Sequence, residues 1–140
     1  MRSEALEKAY RATGYRVFLP GGVVELRVDE ASDGLRRWLA EVGDDGWAIL
    51  TAHNPGGGRL SAEVNAERQS ELECRLLEKG CDPYAGENIA DDDTWPVEET
   101  CLVSGLPLPD CLALAATFGQ NAIVCGGADA VPRLIWLDGQ

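Results

Sequence analysis

The chain has 140 residues, 45% apolar and 26% charged, with a formal net charge of −12; this suits one globular domain over 1–140, long enough to bury roughly two thirds of its unfolded surface. Residues 1–41 balance seven Lys or Arg against seven Asp or Glu, so the excess lies beyond them, and no Lys or Arg occurs from Gly80 through Pro132 while nine acids do. Such a surface repels phosphate backbones and argues against direct nucleic-acid binding, and no apolar run is long enough to cross a membrane.

Ser3 to Thr13 reads as an N-terminal helix (1–13 at its widest), with Leu6 and Tyr10 on one side and Gly14 ending it. It carries no apolar core of a secretory signal. Tyr15-Arg16-Val17-Phe18-Leu19 and Val23 to Val28 are two strands joined by Pro20-Gly21-Gly22, a hairpin signal. Ser32 is placed to cap a second helix, in which Leu35, Trp38, Leu39 and Val42 recur at helical spacing. Trp47-Ala48-Ile49-Leu50-Thr51-Ala52 is short and has no polar alternation, so it reads as a strand buried on both faces.

His53-Asn54-Pro55-Gly56-Gly57-Gly58 breaks that strand, and Ser61 is placed to cap a long helix that Gly80 closes. Cys81 to Pro96, rich in Gly, Pro, Asp and Asn, reads as a long exposed acidic loop over 81–97. Glu99 to Leu106 recovers strand character. Asp110 then caps a further helix with Cys111, Leu114, Ala115 and Phe118 as its buried stripe. Gln120 to Cys125 and Leu134 to Leu137 are the last strands. The order predicts an α+β fold: a mixed β-sheet packed with three to four helices, as a two-layer α/β sandwich.

The stretch from Trp47 to Leu77 holds the most informative polar residues. Asn65, Arg68, Leu72 and Leu76 share one helix face, so Asn65 and Arg68, with Gln69, continue an apolar stripe back toward Asn54. Buried polar groups must be paired. They therefore form an internal network that fixes the Asn54 loop, or they contact a ligand, and both readings can hold together. The Gly-rich loop before a helix invites comparison with phosphate cradles, but Arg59-Leu60-Ser61 stands where the Lys-Ser/Thr of a P-loop would be, and no G-x-G-x-x-G occurs. No cofactor is expected.

His53 is the only histidine and a candidate acid/base group, with Glu98 as the other. The five cysteines (Cys74, Cys81, Cys101, Cys111, Cys125) are spaced by 7, 20, 10 and 14 residues. With no C-x-x-C pair they predict neither a zinc site nor a disulfide framework, and suit reduced thiols in a cytoplasmic protein. Asp91, Asp92, Asp93, Glu98 and Glu99 lack the spacing of a calcium loop. No metal is expected.

Thr51-Ala52-His53-Asn54-Pro55, then Ser61 and Asn65 with Arg68, the Trp95…Glu98-Glu99 region and Phe118-Gly119-Gln120-Asn121-Ala122 resemble a bacterial family catalogued as domain of unknown function 3293. The likeness runs from about Tyr10 to Leu137, with Thr-Ala-x-Asn-Pro and Asn-x-x-Arg as its most specific elements. The family's Trp-x-Glu is one residue longer here, as Trp95-Pro96-Val97-Glu98, so Glu98 and Glu99 both stand as its match. The family implies no activity.

The reading that best fits is a small-molecule binding or regulatory domain with its site at Asn54, Ser61, Asn65, Arg68, Glu98 and Gln120. Arg68 would fix an anionic or carbonyl group, and Asn54 and Gln120 would supply amide hydrogen bonds. The alternatives are a small enzyme on a nucleotide-like or amide substrate, using His53 or Glu98, and an acidic module whose Asp82 to Asp110 face engages a basic protein partner.

Overall fold

The computed structural model describes residues 4–55, 58–92 and 95–137. The elements follow as α1 (Glu4–Arg11), β1 (Thr13–Leu19), β2 (Gly22–Leu26), α2 (Asp33–Val42), β3 (Trp47–Leu50), α3 (Ala62–Glu78), β4 (Tyr84–Ala90), β5 (Glu98–Ser104), α4 (Leu108–Thr117), β6 (Ala122–Gly126) and β7 (Arg133–Trp136). Ser3, Gly56, Gly57 and Asp93, named above, lie outside the described residues. The strands form one sheet in the order β2-β1-β4-β5-β3-β6-β7. The fold is α+β as expected, but each pairing between these strands is antiparallel where a mixed sheet was expected.

Alternation along the strands builds two cores. Ala48 and Leu50 of β3, Cys101 and Val103 of β5, and Ile123 and Cys125 of β6 pack on one face with Leu72 and Leu76 of α3 and Leu114, Ala115 and Phe118 at α4. The intervening Trp47, Ile49, Leu102 and Val124 join Tyr15, Val17 and Leu26 against Leu35, Trp38 and Leu39 of α2. Tyr10 of α1 packs on this second core and sets its ring edge-on to Trp136, with centroids 5.6 Å apart. Helices thus cover both sheet faces, one layer more than a two-layer sandwich. β3 is buried throughout, as its unbroken apolar run requires.

Caps behave as their chemistry dictates. Ser32 Oγ accepts from Leu35 N at 3.2 Å and Ser61 Oγ from Val64 N at 3.2 Å. Gly80, just past α3, adopts φ +83°. Asp110, expected to cap a helix, instead sits in the first turn of α4, which starts at Leu108 and takes Pro109 into that turn, where no backbone donor is needed. Gly14 does not end α1 but lies inside β1, and Val42 is exposed rather than core.

The largest departure is the segment expected to be a long loop over 81–97. Seven of its residues form β4, which pairs with both β1 and β5. Polar residues and Gly86 hid it. Gly86 has a physical reason: a Cβ there would stand 2.3 Å from the Arg16 carbonyl oxygen and 3.0 Å from Thr100 Oγ1. Only a residue without a side chain lets β1 and β4 approach at that point.

Candidate functional site

The site is built where β3 gives out. Thr51 Oγ1 donates to the Glu99 carbonyl at 2.7 Å and accepts from His53 N at 3.1 Å, while Ala52 N donates to the buried Gln69 Oε1 at 2.9 Å. Asn54 then turns the chain with φ +45°, a left-handed conformation that asparagine tolerates better than most residues.

Asn54 is the hub of a buried network. Its backbone N donates to Asn65 Oδ1 and its Oδ1 accepts from Asn65 Nδ2, both at 3.0 Å, so the Asn65 side chain holds both the backbone and the side chain of Asn54. The same Oδ1 accepts from Leu60 N at 2.9 Å, which closes the loop on itself. Asn54 Nδ2 donates to Glu98 Oε2 at 2.7 Å, and Trp95 Nε1 donates to that same oxygen at 2.8 Å.

Two further side chains tie the loop to α4. Arg68 Nε donates to the Ala52 carbonyl at 2.8 Å and its Nη2 to the Phe118 carbonyl at 2.5 Å. Gln120 Nε2 donates to the His53 carbonyl at 3.0 Å and to Phe118 O at 3.3 Å. Gly119, at φ +72°, lies so close to the loop that a Cβ would meet Pro55 Cβ at 2.7 Å. The Asn54-Pro55 turn is therefore held from α3, from β5 and from the end of α4.

Beside this turn lies a cavity of about 400 Å³ between α1 and the end of the sheet. Leu6, Ala9 and Tyr10 of α1 form one wall. The opposite wall is a row across neighbouring strands: Tyr15 of β1 pairs with Asn88 of β4, and Asn88 with Glu98 of β5. His53, Asn54, Trp95 and Gln120 also line it.

Burial sets the protonation chemistry here. Desolvation pushes the His53 imidazole below its ordinary value, and the Glu98 and Glu99 carboxylates only partly oppose this, so His53 is neutral at pH 7. Burial, then Glu98, pushes the Tyr10 phenol up to about 12, and burial raises Tyr15 as well, so both remain protonated. Tyr15 Oη donates to the Tyr10 carbonyl at 3.1 Å and fastens the end of α1. Among the described residues, three buried side-chain polar atoms have no hydrogen-bond partner: His53 Nε2, Asn88 Oδ1 and Gln69 Nε2. Two of the three belong to residues that line this cavity.

Of the residues singled out from sequence, His53, Asn54, Glu98 and Gln120 come together at the cavity. Ser61, Asn65 and Arg68 do not line it; they lie behind the turn as the α3 cap, the amide partner of Asn54 and the clamp to α4. Between the two glutamates, it is Glu98 that meets Asn54 and Trp95. Sequence reasoning missed Asn88, Tyr10 and Tyr15 as lining residues. The alternation of Tyr84, Gly86 and Asn88 on one strand face was the available signal, and the glycine masked it.

The buried thiols are elsewhere. Cys101 and Cys111 are pushed up to about 12 by burial and Cys125 is raised by the same cause, so none supplies a thiolate at neutral pH. Among the described residues no group of three or more His, Cys, Asp or Glu is arranged to hold a metal ion. None of the described helices is long and apolar enough to cross a membrane.

Comparison with known proteins fits these features. The family described as "Protein of unknown function (DUF3293)" matches residues 50–123, and the chain belongs to it. The matched stretch carries the Asn54 turn, α3, Asn88, Glu98 and Gln120, whereas α1 and β1 fall outside it. No curated protein and no solved structure matches the chain.

Proposed function

We propose that this DUF3293 member binds a small molecule in the cavity between α1 and the Asn54 turn. The observation that carries the reading is a space of about 400 Å³ with mostly apolar walls and a few polar lining residues, two of which, His53 and Asn88, also hold a buried unpartnered atom. Ligand pockets have this size and character, on the order of 300–1,000 Å³ with few polar contacts. An unpaired buried polar atom costs about 1–3 kcal/mol, and a ligand that pairs it recovers that cost on binding. Asn88 and His53 meet the ligand in this scheme. Asn54, Asn65, Arg68 and Ser61 hold the turn and the Glu98 carboxylate in place. The five free cysteines suit a reducing cytoplasm.

A thermal-shift screen of metabolites against the wild type and Asn88→Leu tests the reading. The variant, which removes a buried unpaired acceptor, is expected to be at least as stable as the wild type without ligand. It should lose most of the shift that a ligand gives the wild type. A screen without any responding compound, or a variant that responds as the wild type does, would overturn the proposal.

A catalytic reading rests on one observation: His53 is held neutral at the cavity wall with Nε2 uncommitted, as a general base requires. It predicts that His53→Gln abolishes turnover of a bound substrate and spares its affinity. A module for a basic partner has less support. Asp82 precedes β4 and Asp91, paired to Arg27 at 2.8 Å, follows it, so about 23 Å of strand separates them.

A further inference from the structure

The chemistry of the cavity also narrows its ligand, an inference that rests on the binding proposal above. Glu98 stands on the cavity wall with neutral partners: Asn54 Nδ2 and Trp95 Nε1, both on Oε2. The ion pairs found among the described residues do not include it. Neutral donors satisfy hydrogen bonding on one oxygen but form no ion pair with the partly buried carboxylate. Asn88, its registered neighbour on β4, lines the same wall, and its Oδ1 is buried without a partner.

Around these acceptors the walls are aromatic and aliphatic. Tyr10 and Tyr15 contribute rings whose phenols stay protonated, and Leu6 and Ala9 close the other side. The one lysine of the lining, Lys8, is exposed on α1. A small organic anion would meet the Glu98 carboxylate, whereas an organic cation would pair with it among aromatic and aliphatic walls.

We infer that the cavity takes a small organic amine, with its protonated nitrogen donating to Glu98 beside Asn88 and its apolar body beneath α1. Arg68, expected from the sequence to fix an anionic group, does not line the cavity, and both of its observed hydrogen bonds run to backbone carbonyls.

Three probes of similar shape and different charge test this: phenethylammonium, neutral phenethyl alcohol and anionic 3-phenylpropionate, each titrated by NMR into wild type, Glu98→Gln and Asn88→Leu. Glutamine keeps an oxygen for Asn54 and Trp95 but removes the charge. The expected result is binding of phenethylammonium about tenfold or more tighter than the other two, with the preference lost in Glu98→Gln. Wild-type probe ranking needs no variant, so a Glu98→Gln protein that fails to fold leaves the test intact. Equal or tighter binding of the alcohol or the propionate, sensitive to Asn88→Leu, overturns the amine class and leaves the cavity as the binding site. The same holds if no probe binds while a screening hit of another class does. No binding in the cavity by any compound overturns both.

Discussion

At the scale of single residues, Asn54 concentrates more of the local structure than any other side chain of the turn. Its amide joins Leu60, Asn65 and Glu98, and its backbone occupies a left-handed conformation. Asn54→Ala removes three hydrogen bonds, leaves buried partners unpaired and keeps a Cβ at positive φ. Urea unfolding should show a loss of about 3 kcal/mol. Asn54→Gly loses the same bonds but relaxes the backbone, and should be less damaging by about 1 kcal/mol. Equal losses would show that the conformation contributes nothing.

His53 gives a second residue-level test, made simple because it is the only histidine in the chain. Its titration followed by NMR should have a midpoint below 6.5, and Glu98→Gln should lower it further, because the Glu98 carboxylate raises it. The sign for stability follows. The unfolded imidazole takes a proton more readily than the folded one, so this contribution is present above the unfolded value and is lost as pH falls through the window beneath it. A midpoint at or above 6.5 would mean that Glu98 outweighs burial.

At the scale of elements, β4 and α1 decide whether there is a site at all. β4 inserts between β1 and β5, and Gly86 is what lets it do so. Gly86→Ala drives a methyl into the Arg16 carbonyl, so it should destabilise the fold by about 3 kcal/mol or more and, in any folded remainder, disturb the Tyr15–Asn88–Glu98 row. Unchanged stability would show that β1 and β4 separate at little cost. α1 has no buried residue, yet its Leu6, Ala9 and Tyr10 cover the cavity. Amide exchange in α1 should therefore slow when a ligand fills the space beneath it. Exchange unaffected by a bound ligand would place that ligand elsewhere.

At the scale of the whole molecule, the parts legible in the sequence were those where local chemistry and burial agree. The β3 run, the Ser32 and Ser61 caps, the Gly80 stop and the stripe of α4 all follow from propensity and period, and all stand in the structure. The Asn54–Asn65 and Arg68 contacts were foreshadowed by helical spacing that carries polar residues onto an apolar face. β4 was hidden because strand residues that line a cavity need not be apolar, and because Gly86 reads as a turn until its neighbour across the sheet is known. Tyr10 and Tyr15 were hidden for a related reason: nothing local in the sequence brings α1 over the Asn54 turn, some forty residues away. The cavity is a product of tertiary packing, and its polar lining is gathered from strands and loops far apart in the sequence.

The central claim, that this cavity is a ligand site, is tested most directly by a crystal structure of the protein with the tightest compound from the screen. Density is expected under α1, with a donor of the ligand within hydrogen-bond reach of the Asn88 amide oxygen and His53 Nε2 newly paired. A compound seated elsewhere on the surface, with Asn88 and His53 still unpartnered, would contradict it.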